Sequence, residues 1–393
     1  MKLCDNIMRQ FGIAKSFQKM SALKQSMAFS PDGRSLAVCD HQSLTIYDCK
    51  HLKEQTQMSV ARFLPEVVCY TQEQGIILHS ETKFDCCICS LDLSTRRYVR
   101  LYRGHTQPVH TICFQPHSSH QFISAGQDDC LLLWDLRCHT YTHKLQELQQ
   151  PLLAIDPAGL VFATSCGTSQ IEIYDVRMLS RQPCQQYSYK CFDLANWTQL
   201  QFSPDGKHLL LSTDGSWCYS LDAFDGGLHQ AYKVYVNAKR EPLQACYTLD
   251  SQYVLAAGNA AGAGSVHVWQ AHSGKSVAQL RSDSNKTLRR LQFNCQQIMF
   301  VSSSADMLHC WLPQDDAAAA EQQLEAAACI DLTRSDESDS DLELLDTKQL
   351  VNDDVIFVCK ELLPKQSKAS PASSVAVESE SDSLEEGELT ADD

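Results

Sequence analysis

The sequence predicts an all-β protein, a seven-bladed propeller over residues 1–313 followed by a disordered acidic tail over 314–393. Two observations carry the propeller and a third carries the tail. Short β-prone runs that close on an aromatic or apolar residue plus Asp recur: LTIYD to Asp48, CICSLD to Asp92, LLLWD to Asp135, IEIYD to Asp175 and CYSLD to Asp222. They degrade to VHVWQ at Gln270 and LHCWL at Leu312, with steps of 44, 43, 40, 47, 48 and 42 residues. A period of about 40–45 residues is that of four-stranded propeller blades. Turn signals fall where the first two strands of a blade should join: FSPDG at Phe29–Gly33 and Phe202–Gly206, and DPAG at Asp156–Gly159. The third observation is charge. From Asp315 onward there are 22 acidic and 5 basic residues, against 26 and 28 before it, so the net charge of −15 belongs to the tail.

Taken in order, the N-terminal MKLCDNIMRQFGIAKSF lacks the continuous apolar core of a signal peptide, and no run suggests a membrane span. The first unit is short at its front, so Gly12–Phe17 is expected to supply the outer strand of the last blade and close the ring. Nineteen cysteines without a secretory signal point to reduced thiols, and no paired C-x-x-C knuckles point to zinc. Cys86 and Cys87 of CCIC lie in a strand-like run, where they would face opposite sides as small hydrophobes. No broad basic face argues for sequence-specific nucleic-acid binding.

Blade three is the most complete unit, GHTQPVHTICFQPHSSHQFISAGQDDCLLLWDLR. It carries His105, Ser124, Asp128 and Trp134 where WD repeats place a hydrogen-bond network: Asp orients His, His contacts Ser, and Ser contacts the indole N–H. Those residue types also make a nucleophilic triad, but buried polar satisfaction is the simpler reading, and no catalytic or metal cluster is expected elsewhere. GNAAGAG (Gly258–Gly264) sits between two strand patterns instead of leading into a helix, so it reads as an enlarged turn and not a phosphate loop. No cofactor is expected.

MKLCDNIMRQFGIAKSF, FISAGQDDCLLLWDLR, DPAGLVFATSCGTSQIEIYDVR, WTQLQFSPDGKHLLLSTDGSWCYSLDAF and HVWQAHSGKSVAQL, in that order, resemble the WD-repeat-containing protein 82 family. That family supplies the propeller subunit shared by COMPASS-type histone H3 lysine methyltransferase complexes and a nuclear phosphatase complex of transcription termination. The resemblance implies a nuclear, non-catalytic scaffold with methyltransferase-complex subunits as partners. It ends near CWLP (Cys310–Pro313), so the tail marks a divergent member or paralogue.

Loops between blades carry Arg103, Lys190, Lys239, Arg240 and Lys286, a ring of cations that could hold acidic or phosphorylated peptides, or simply solvated loop charges. WDLR and YDVR, ending in Arg137 and Arg177, resemble the paired box of WD-repeat substrate receptors of cullin–RING ubiquitin ligases; the alternative is that each Arg pairs with a nearby Asp. In the tail, Asp315–Ala328 is alanine-rich enough for a short helix but has little apolar face to bury. CIDLTRSDESDSD resembles a SUMO-interaction motif, with Ile330, Asp331, Leu332 and Thr333 as the strand that adds to SUMO's sheet and the acids facing its lysines. Val355, Ile356, Phe357 and Val358 after Asp353–Asp354 form a second candidate. Two sites on one flexible spacer would raise avidity for a SUMO chain.

Overall fold

The computed structural model describes residues 3–18, 26–40, 42–178, 182–191, 195–237, 239–242, 244–260, 263–283, 286–313 and 356–357. Ile330, Asp331, Leu332, Thr333, Val355 and Val358, and the alanine-rich run at 315–328, lie outside the described residues.

The marker runs become the third strands of seven antiparallel sheets, for example Ser43–Asp48, Leu131–Asp135 and Trp217–Asp222. Their β-branched, leucine and aromatic content suits a strand covered on both faces, and all five residues of Leu131–Asp135 are buried. Outermost strands are shorter in apolar content and half-exposed, as in Lys53–Ser59. The first-to-second turns are built as their sequences predict. Ser30 Oγ donates to Asp32 (2.6 Å), Gly33 N donates to Ser30 O (2.8 Å), and Gly33 sits at φ +67°. Ser203, Asp205 and Gly206 repeat this, with Gly206 at φ +72°.

Between neighbouring blades lies one apolar cluster per junction, seven in all among the described residues, so the core is a ring of wedges and not one central mass. The seventh junction joins blade seven to blade one through Phe29, Leu36, Val38, Val301 and Leu308, with the Phe17 and Tyr47 rings 4.6 Å apart. Blade seven takes its outer strand from the other end of the chain. Phe11–Gln18 pairs antiparallel with Met307–Pro313, Phe11 opposite Pro313 and Gln18 opposite Met307.

Ahead of that strand, a one-and-a-half-turn helix, Asp5–Gln10, buries Met8 completely against blades six and seven. Asp5 accepts hydrogen bonds from Tyr253 Oη (2.7 Å) and Gln270 Nε2 (3.0 Å), which together hold its carboxyl below the usual range. Leu3 N donates to Asp250 at 2.7 Å.

Two local expectations are corrected. Gly258–Gly264 is no enlarged turn: the hairpin of Tyr253–Ala260 and Ala263–Gln270 stays paired through Gly258 opposite Ser265 and Asn259 opposite Gly264. Small residues are needed there because a Cβ at Gly264 would lie 2.7 Å from Lys286 O. Cys86 and Cys87 precede the strand Ile88–Asp92, and Cys86 turns the chain at φ +51°. Ile356–Phe357 pairs parallel with the outer strand of blade two, Ile356 opposite Arg97.

His79, wholly buried in blade two, donates from Nδ1 to Ser80 O (2.9 Å) and accepts from Tyr98 Oη at Nε2 (3.0 Å). Burial pushes its pKa from 6.5 down to about 4. The folded state therefore refuses a proton that the unfolded chain accepts below about 6.5, and stability falls as pH drops through that window toward 4. From pH 7 to pH 5, His79 alone should cost about 2 kcal/mol. Urea unfolding of His79→Gln should show a pH slope shallower by that amount; an unchanged slope refutes the assignment. Removing residues 1–18 takes away the closing strand and its helix together. The melting temperature should fall by at least about 10 °C, and a truncated chain that melts with the full one rules out this closure.

Candidate functional site

Crossings from the fourth strand of each blade to the first strand of the next fall on the same face as the second-to-third-strand turns. On this upper face, rigid strands present short loops around the mouth of the central channel. In blade three a hydrogen-bond chain pins two of these loops to the sheet. Trp134 Nε1 donates to Ser124 Oγ (2.8 Å), Ser124 Oγ lies 2.7 Å from His105 Nε2, and His105 Nδ1 lies 2.9 and 3.1 Å from the two Asp128 oxygens. Asp128 can only accept, so Nδ1 carries the proton and Nε2 accepts from Ser124. Burial pushes the Asp128 carboxyl up, but His105 and the Thr106 N–H outweigh it and leave the group below its usual range.

This is a Ser–His–Asp relay in connectivity, yet Ser124 is 0% exposed and its oxygen already accepts the indole proton. A nucleophile sealed beneath a tryptophan meets no substrate. The arrangement holds loops in place.

Other blades reach the same end with different residues. In blade five Asn196 takes the place of the histidine, its backbone N and its Nδ2 both 2.8 Å from Asp214. In blade seven Trp311 Nε1 donates to Ser302 Oγ (2.8 Å), while the buried His309 reaches Ser16 Oγ at Nδ1 (2.8 Å) and Ser282 Oγ at Nε2 (3.0 Å). His309 thus bridges the closing strand, blade seven and an upper loop. Its partners lie 293 and 27 residues away, so no local pattern in the sequence marks it.

The five loop cations occupy the upper face but do not form an open positive ring. Arg103 lies 3.2 Å from Asp85, and Lys286 lies 2.9 Å from Asp306, whose carboxyl the ammonium holds below its usual range. Lys190, Lys239 and Arg240 are exposed. Arg289, which the sequence reading passed over, stands 4.0 Å from Glu241. Arg137 and Arg177 lie on the opposite face and fold back onto their own blades. Arg137 makes a two-pronged contact with Asp135 (2.9 and 2.7 Å), holding that carboxyl at about 2, and Arg177 reaches Asp175 at 3.4 Å.

The central channel encloses about 1350 Å³ and is lined by the innermost strands. Its wall is rich in amides, among them Gln199, Gln201, Gln244 and Gln292, with Arg290 and Glu66. Among the described residues no group of His, Cys, Asp and Glu is placed to hold a metal, and no helix is long and apolar enough to cross a membrane. The described cysteines are free thiols, and burial pushes Cys246 up to about 12 and Cys69 to about 11.

Seven four-stranded blades, closed by the opposite chain end and pinned by a His–Ser–Trp network, define a WD-repeat propeller. Residues 96–135 match the WD domain, G-beta repeat family. The chain belongs to the WD repeat-containing protein 82 family. It is 32% identical over 316 residues to WD repeat-containing protein 82 of Drosophila melanogaster, covering 80% of this chain and 98% of that protein. It is also 25% identical to COMPASS component SWD2 of Saccharomyces cerevisiae, over 75% of this chain and 93% of that one. Set1 complex component swd2 of Schizosaccharomyces pombe is 29% identical over 58% and 67% of the two chains.

Replacing His105 with Ala leaves Ser124 and Asp128 without their shared partner inside the sheet. Equilibrium unfolding should show a loss of about 1–3 kcal/mol. Unchanged stability combined with loss of partner binding would instead make His105 a contact residue.

Proposed function

We propose that the chain is a non-catalytic scaffold subunit of a nuclear, chromatin-bound COMPASS-type histone H3 lysine methyltransferase complex, with a transcription-termination phosphatase complex as its second assembly. The observation that carries this reading is likeness spread over 316 residues, the whole propeller, to a family whose yeast relatives are named as Set1 and COMPASS components. The chemistry fits a binding role, because the one acid–base relay among the described residues with triad connectivity is sealed under Trp134. Binding falls to the upper face, where Lys190, Lys239 and Arg240 are exposed and could meet acidic or phosphorylated partner segments. A ubiquitin-ligase receptor role finds no support in the paired arginines, each of which is closed onto its neighbouring aspartate.

For residues 314–393 the reading is an acidic, serine-rich arm that binds SUMO through Ile330–Thr333 and Val355–Val358. The second run would have to leave the edge of blade two, where Ile356 and Phe357 pair, before it could add to another sheet.

One purification tests both parts. Tagged full chain isolated from nuclei in mild salt should retrieve methyltransferase-complex subunits, phosphatase-complex subunits and SUMO conjugates. A full-length variant with Ile330, Leu332, Ile356 and Val358 changed to Ala should lose only the SUMO conjugates. Retrieval of neither complex by the wild type ends the scaffold proposal, and equal SUMO recovery by the variant ends the tail proposal.

A further inference from the structure

Arg290 opens the innermost strand of blade seven, Arg290–Phe293, and lines the central channel. Among the described residues its guanidinium makes no hydrogen bond or ion pair, unlike Arg289 beside it. Burial lowers its basicity, and Glu66, which opposes this effect, does not hydrogen-bond it. Arg290 is half-buried and faces the channel, so its forked donors are open to a group in the recess.

Around it, blades five, six, seven and one form a recess of about 130 Å³ in the channel wall, the space of roughly four waters. Gln199 and Gln201 stand two apart on one strand and so share a face, and Gln292 stands two beyond Arg290. Among the described residues the Oε1 atoms of all three are buried without a partner. Gln244, in contrast, is committed: its Oε1 accepts from Leu291 N at 3.0 Å. Each free carboxamide can turn about its last bond to offer N–H instead of oxygen. The recess therefore offers the forked donors of one arginine and up to three amide donors, in a low-dielectric wall where charge-assisted hydrogen bonds are strong.

We infer that this recess is an oxyanion-binding site, in which Arg290, Gln199, Gln201 and Gln292 hold a single carboxylate or phosphate carried by an extended peptide segment entering the channel from the upper mouth. Arg240 and Arg289 line the channel as well, Arg289 beside Glu241. The site is distinct from the exposed loop cations and independent of which assembly the chain joins.

The test uses the full chain, its Arg290→Met and Arg290→Lys variants, and thermal unfolding at constant ionic strength. Replacing chloride with inorganic phosphate should raise the wild-type melting temperature by about 2 °C or more. Arg290→Met should melt close to the wild type in chloride, because among the described residues the guanidinium has no hydrogen bond or ion pair to lose, and should ignore phosphate. Arg290→Lys, which keeps charge but loses the fork, should respond by less than half. Fluorescently labelled peptides that differ at one position, Glu, phosphoserine or Gln, then separate the sources. Tighter binding of the Glu peptide names a carboxylate, tighter binding of the phosphoserine peptide names a phosphate, and either preference should be lost in Arg290→Met. Three results overturn the inference: no response of the wild type to any oxyanion, equal responses in wild type and Arg290→Met, or an Arg290→Met protein that melts far below the wild type, which would make the guanidinium structural.

Discussion

A propeller blade has two apolar faces and can bury both only when it has a neighbour on each side, so a chain of seven blades is unfinished until its ends meet. Everything else in this molecule rests on that closure. The seventh apolar junction, between blades seven and one, exists because Phe11–Gln18 completes the last sheet. Three further contacts hold it: Met8 sunk between blades six and seven, Asp5 gripped by Tyr253 and Gln270, and His309 bridging Ser16 and Ser282. Without the ring there is no upper face on which loops from different blades converge, and no channel for Arg290 to line.

The parts of the fold legible in the sequence were those written locally. The aromatic-Asp endings marked every third strand because a strand buried on both faces must be nearly continuous in apolar residues, and the first-to-second-strand turns at Gly33, Gly159 and Gly206 place Gly at positive φ. The blade-three network could be placed for the same reason: its four residues fall within thirty positions at a recurring spacing. What stayed hidden was long-range pairing. Nothing near His309 announces a partner at Ser16, and Asn196 with Asp214 does the work of a histidine pair under another composition. Gly258–Gly264 misled because small residues resemble a loop on paper, whereas here they let a hairpin pass close to the Lys286 carbonyl.

The candidate site was legible by position but not by electrostatics. A linear sequence shows that Arg103 and Lys286 fall between blades; it does not show that Asp85 and Asp306, from turns on the same face, sit against them. Cations paired in this way contribute little long-range attraction and more to fixing loop shape. The reverse holds for Arg290. In the run LRRLQF it looks like one of two ordinary arginines, and only the closed ring shows that, among the described residues, its neighbour meets Glu241 while it pairs with no carboxylate. Recognition by such a surface depends on where a charge is left unpaired more than on how many charges there are.

The closing strand also sets a timetable. Gln18 leaves the ribosome long before Met307, its partner across the last sheet. At about 5–20 residues per second, synthesis of the intervening chain takes roughly 15 to 60 seconds. Throughout that interval the nascent protein holds a strand with no sheet to join and a first blade with one uncovered apolar face. Early blades can pack on one another as they emerge, yet the final junction must wait for the last strand and then form across nearly the whole length of the propeller chain. A cell making this protein must therefore shelter an open ring for much of a minute, and ring completion, not blade formation, is the step at which a chaperone would have most to do.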